Sequence, residues 1–199
     1  MTADAPGRVG RRATSTGTFG TAAIRRRFAA QRDFGPFDAE DLDAAVGSPP
    51  GLLDFGSIRV PVPEAGTVTV EPTANGRLQA VHVALPGGRL SVSALAAPKS
   101  SGLWAELVAE IDSSLREGGA RVRSFQGDWG RELHAQTGAA TSVFVGVDGA
   151  RWMLYGVATG PERHAVDLDA ALRQMLKGTI VDRGRSPFPV RTVLPLTVP

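Results

Sequence analysis

Residues 100–119, reading SSGLWAELVAEIDSSLREGG, constrain the fold more than any other stretch. Leu103, Leu107, Ile111 and Leu115 recur every fourth residue, and Trp104 and Val108 widen the stripe, so all six share one face of a 3.6-residue period. A helix with such a face must bury it against another layer. Ser100 or Ser101 is placed to cap its start, and Gly118-Gly119 to supply a left-handed stop. The segments on either side have a strand pattern instead, which predicts a helix packed across a sheet.

Residues 57–62 (SIRVPV) put Ile58, Val60 and Val62 on one face, and Pro61 and Pro63 confine them to an edge. Residues 67–71 (TVTVE) alternate as well. Residues 77–85 and 89–97 read as a hairpin about Pro86-Gly87-Gly88, and Asn75-Gly76 marks a turn before it. Beyond the helix, residues 120–126 and 131–135 are strands joined by Gly127-Asp128-Trp129-Gly130. Residues 141–147 and 151–158 flank Asp148-Gly149, the strongest hairpin signal in the chain. A second helix is expected over residues 168–177, with Leu168, Leu172, Met175 and Leu176 inward, Asp167 or Asp169 at its start and Gly178 at its end. Residues 179–182 form a last strand, and the proline-rich end is expected to run extended over the surface. Two helices set apart on an antiparallel sheet of hairpins and meander define an α+β sandwich, not a doubly wound parallel fold.

Charge divides the chain. Residues 1–33 hold seven arginines against Asp4 and Asp33, a net of +5; of the 22 basic and 20 acidic residues in all, fifteen and eighteen remain for the rest, a net of −3. The chain is therefore expected to comprise a disordered basic arm (1–36), a linker with a short helix capped by Asp38 (37–51) and one α+β domain (52–199). Within the arm, Arg25, Arg26 and Arg27 are the residues placed to meet nucleic acid or another polyanion. No cysteine is present, so neither a disulfide nor a cysteine zinc site is possible. No apolar run approaches a membrane span, and no secretory h-region follows the arginines, so a cytoplasmic protein is expected.

At FGSIRVPVPE, GLWAELVAEI and FVGVDGARWMLYGVATGP, with the closing RTVLPLTVP, the chain resembles an uncharacterised actinobacterial family of unknown function, of the DUF-3710 type. The resemblance spans residues 54–199 and departs from the family pattern at Tyr155, where an arginine is expected. The order of elements is similar to the Mog1/PsbP-type sandwich, which implies binding or assembly more than catalysis. No family member supplies an activity to carry over.

No GxSxG, HExxH, P-loop or GxGxxG motif occurs, so no catalytic residue is assigned, and neither a metal nor a cofactor is expected. His82, His134 and His164 lie far apart, and Glu106 and Glu110 sit off the apolar stripe on a solvated face. The candidate binding residues are Trp129 in its glycine turn, His134, Arg151 and Trp152 after the Asp-Gly hairpin, and Arg183 beside the last strand. Arg185 and Arg191 accompany Arg183. Aromatic interleaving of the kind that builds single-strand nucleic-acid platforms is not evident in a chain with one tyrosine. Three readings follow. The first is a non-enzymatic interaction or assembly module with a protein partner. The second is a small-ligand binder or enzyme with a pocket near the 127–134 turn. The third is nucleic-acid association through the arm.

Overall fold

The computed structural model describes residues 35–42, 51–72, 76 and 78–199. The strands are β1 (Phe37–Asp38), β2 (Leu52–Asp54), β3 (Ile58–Pro61), β4 (Thr67–Pro72), β5 (Leu78–Leu85), β6 (Gly88–Ala96), β7 (Arg121–Gly127), β8 (Gly130–Thr137), β9 (Ala140–Asp148), β10 (Trp152–Pro161) and β11 (Ile180–Val181). Helix α1 (Trp104–Glu117) connects β6 to β7, and α2 (Ala165–Gly178) connects β10 to β11. Seven strands make an antiparallel sheet in the order β4-β5-β6-β10-β9-β8-β7. Four short ones make a second sheet, β1-β11-β3-β2, in which β1 and β11 run parallel. The class is α+β, as the pattern of hairpins and helices predicts. The second sheet is additional to the single sheet read from sequence.

Strand β10 explains the layering. Trp152, Leu154 and Ala158 point into one apolar cluster, while Met153 lies in the other with Tyr155 packed against it. Side chains alternate across a strand, so the two clusters occupy opposite faces of the large sheet. The first face is covered by Leu168, Leu172, Met175 and Leu176 of α2, and by Ile58, Val60 and Val181 of the small sheet. The second is covered by Leu103, Trp104 and Val108, with Leu107, Ile111 and Leu115 at its margin. The predicted α1 stripe is thus the buried one. Trp104 lies flat against Gly146, where any Cβ would collide with the indole, and its Nε1 donates to Arg131 O at 2.7 Å.

The caps differ from expectation. No serine caps α1; Asp148 Oδ1 accepts from the backbone N–H of Leu103 at 2.7 Å and of Trp104 at 3.0 Å. The hairpin aspartate thereby satisfies two of the helix's orphan donors and places a negative charge at the positive end of its dipole. Helix α2 begins at Ala165, after a 3-10 turn over Glu162–His164, and no side chain caps it. Asp38 does cap, but what it caps is a 3-10 turn, accepting from Glu40 N at 2.9 Å.

The C-terminal stretch runs largely over the surface, as its prolines predict, but Leu194 and Leu196 pin it to the core. Leu194 is fully buried, and its N–H donates to Ala94 O at 2.8 Å; Arg191 N bonds Ala96 O at the same distance. Arg191 also forks onto Glu110 (2.7 and 2.9 Å) and Glu106 (3.2 Å), tying this stretch to the outer face of α1. The Arg191 hydrogen bond holds the Glu110 carboxyl below its ordinary value.

Between α2 and β8 lies a buried charge cluster. Glu132, only 2% exposed, accepts two hydrogen bonds from Arg173 (3.0 and 2.5 Å), and Arg173 reaches Asp169 at 3.1 Å. The hydrogen bond to Glu132, with that to Asp169, moves the Arg173 pKa upward. Arg173→Met strands the Glu132 carboxylate and should destabilise the protein by about 3–5 kcal/mol in urea denaturation. Adding Glu132→Leu should restore most of that loss, because the stranded charge then disappears.

A second expectation concerns alkaline pH. Burial pushes the Tyr155 hydroxyl from 10.0 to about 12. Folding then favours the protonated phenol: stability is complete below pH 10, falls as pH rises, and is lost through about 12. The slope should be about 1.4 kcal/mol per pH unit in that window. Tyr155 is the chain's one tyrosine, so tyrosinate absorbance reports it alone. The native midpoint should lie near 12 and the urea-unfolded midpoint near 10, and Tyr155→Phe should flatten the alkaline stability curve.

Candidate functional site

Three residues singled out from sequence converge on residues 35–40 of their own chain. Trp129 Nε1 donates to Gly35 O at 2.9 Å, Trp152 Nε1 to Asp38 Oδ2 at 2.7 Å, and Arg151 Nη2 to Glu40 Oε1 at 3.3 Å. Both indoles belong to the core, at 9% and 2% exposure. Phe37 N also bonds Thr179 O at 2.9 Å, so residues 35–38, at the junction of the stretches read as arm and linker, add a strand and two tryptophan-bound acceptors to the fold. Burial raises the Asp38 carboxyl above its ordinary value, opposed by the hydrogen bonds from Glu40 N–H and Trp152. Arg183 organises its own loop, donating to Gly184 O at 3.2 Å and Ser186 O at 2.9 Å, with its guanidinium 5.8 Å from the centre of the Phe188 ring. Arg25, Arg26 and Arg27 lie outside the described residues.

His134 stands apart from these, in a groove that the sequence reading did not assemble. Along β7, Arg121, Arg123 and Phe125 occupy alternate positions and share one face, while Val122 packs in the α1 cluster on the other. The β7–β8 register sets Arg121 opposite Gln136, Arg123 opposite His134 and Phe125 opposite Glu132; β9 then sets Thr141 opposite Gln136. Arg121, Arg123, Phe125, His134, Gln136 and Thr141 line a cavity of about 250 Å³, bordered on the far side by Glu162 and by Ala165 at the start of α2. Phe125 is 47% exposed, and its ring meets that of His134 with centroids 4.6 Å apart and planes tilted by 57°. Gln136 Nε2 lies 3.4 Å from Glu162 Oε2. One register step from His134, Glu132 turns under α2 to Arg173, and its carboxylate lies so close to Gly127 that any Cβ there would collide.

The groove's charge is distinctive. Six arginines elsewhere are fitted to carboxylates: Arg59 lies between Asp54 and Asp182, Arg116 and Arg131 share Asp112, and Arg151, Arg173 and Arg191 each hold a glutamate. Among the described residues, neither Arg121 nor Arg123 has such a partner. Two uncompensated guanidiniums beside a half-exposed ring can take an anion that also carries a flat apolar group. The R-x-R-x-F alternation was readable in the sequence. That α2 leaves this end of the sheet uncovered was not. Among the described residues, no three His, Asp or Glu side chains gather as a metal site would require. No described helix is long and apolar enough to cross a membrane.

No curated protein matches the sequence. A solved protein from Bacteroides thetaiotaomicron is similar in part, with a TM-score of 0.44 and 14% identity over 69% of this chain and 49% of that one, so the chain spans about half of that protein's length. A family model described as "Protein of unknown function (DUF3710)" matches residues 35–199, the same residue at which the Trp129 indole takes hold of the backbone. The chain is a member of that family.

Proposed function

We propose that this chain is a non-enzymatic, cytoplasmic interaction module whose contact face is the groove built by β7, β8 and the start of α2, and whose partner is anionic there. The observation that carries this reading is the pair Arg121 and Arg123, side by side without carboxylate partners next to a half-exposed Phe125. Unpaired guanidiniums on a fixed strand keep their hydrogen-bonding forks free, and Arg is favoured at interfaces for that reason. The groove also suits binding more than chemistry. His134 offers its ring to Phe125, and among the described residues no hydroxyl or carboxylate is hydrogen-bonded to it as a nucleophile or orienting partner would be. At the 127–134 turn, Trp129 packs in the core and donates to Gly35 O, while His134 lines the groove.

The test is charge reversal at the groove in the full chain. Arg121→Glu with Arg123→Glu should weaken binding to heparin and to polyglutamate about ten-fold or more at low salt, with an unchanged thermal melt. Arg89→Glu, an exposed arginine on β6 outside the groove, serves as the control and should have little effect. Equal losses from both variants would mean that the groove has no privileged role.

A further inference from the structure

We infer that the groove binds a nucleotide unit, with its phosphate on Arg121 and Arg123 and its base stacked on Phe125 beside His134. This rests on the groove proposed above as the contact face, and it specifies the occupant. Four observations lead to it. The two arginines stand at alternate positions of one strand, so their backbone positions are about 6.8 Å apart along it and both long side chains can reach neighbouring phosphates of one nucleic-acid strand. Phe125 continues the same row by one more step, which puts an aromatic face beside the charge. A ring left 47% exposed at the free edge of a sheet costs apolar hydration and invites aggregation, and a stacked base would cover it. At the Arg121 end of the row, Gln136, Thr141 and Glu162 offer an amide, a hydroxyl and a carboxylate, which can hydrogen-bond the sugar or the next nucleotide along a strand. A positive groove with an aromatic platform is the combination that binds single strands without a sequence requirement. An acidic protein segment would satisfy the arginines but leave the aromatic face uncovered.

The experiment uses fluorescence anisotropy on the full chain, with two labelled probes. One is a ten-nucleotide thymidine strand. The other is its abasic counterpart, which has the same phosphates and no bases. Other cationic parts of the chain act on both probes alike, so the ratio of the two affinities reads stacking. The thymidine strand should bind about ten-fold more tightly. Phe125→Ala and Phe125→Leu should each remove most of that ratio. Phe125→Leu keeps an apolar side chain, and a melt on each variant checks the fold. Arg121→Ala with Arg123→Ala should weaken both probes. Thymidine monophosphate is added as competitor: displacement by it identifies a free nucleotide as the source, and displacement only by longer strands identifies a single strand. Equal binding of the two probes, or a ratio untouched at Phe125, overturns the inference and leaves the anion-binding groove standing. Stronger displacement by polyglutamate than by unlabelled thymidine strand at equal charge also overturns it, in favour of an acidic protein segment. Binding of every probe that ignores Arg121 and Arg123 overturns both the inference and the groove.

Discussion

Burial on both faces of β10 governs the arrangement of everything else. A strand with Leu154 on one side and Met153 on the other, both fully buried, needs cover from two directions. One helix cannot supply it, so the chain divides the task. Helix α1 covers one face and α2, with the small sheet, covers the other. Asp148 connects the halves: it closes β9 at the hairpin into β10 and holds the first turn of α1. The carboxylate that ends one layer thus begins the next.

What could be read from the sequence was what repeats over short distances. The α1 stripe, the Asp148-Gly149 hairpin and the β5–β6 hairpin declare themselves within a dozen residues, because period and turn chemistry are local. The interactions that escaped reading join distant positions. Asp148 caps α1 from 45 residues away, Trp129 reaches Gly35 across 94, and Trp152 reaches Asp38 across 114. At the C-terminus the prolines announced the extended surface path, but not that Leu194 and Leu196 would turn inward to complete the core. The groove lies between these cases. Its R-x-R-x-F row is local, but its importance depends on how far α2 extends over the sheet.

Trp129, Arg151 and Trp152 show why a residue type alone identifies a contact without identifying the partner. Large aromatic area and a planar cation are what an interface anchor requires. Here those properties serve residues 35–40 of the same chain. Arg191 does likewise, taking Glu106 and Glu110 of α1. Where an arginine stands, beside a carboxylate of its own chain or beside an exposed ring in a groove, carries more information than any count of positive charge.

The parallel pairing of β1 with β11 has a kinetic consequence. Among the described strands, β1 with Phe37 and Asp38 leaves the ribosome first, and its partner β11 with Ile180 and Val181 leaves last. The acceptors that Gly35 and Asp38 offer to Trp129 and Trp152 wait nearly as long. Loop closure over such separations is slow and entropically costly, so the large sheet can assemble well before the first strand docks. Strand β1 cannot pair until β11 has emerged, so the first of the described strands stays uncommitted until the last is made.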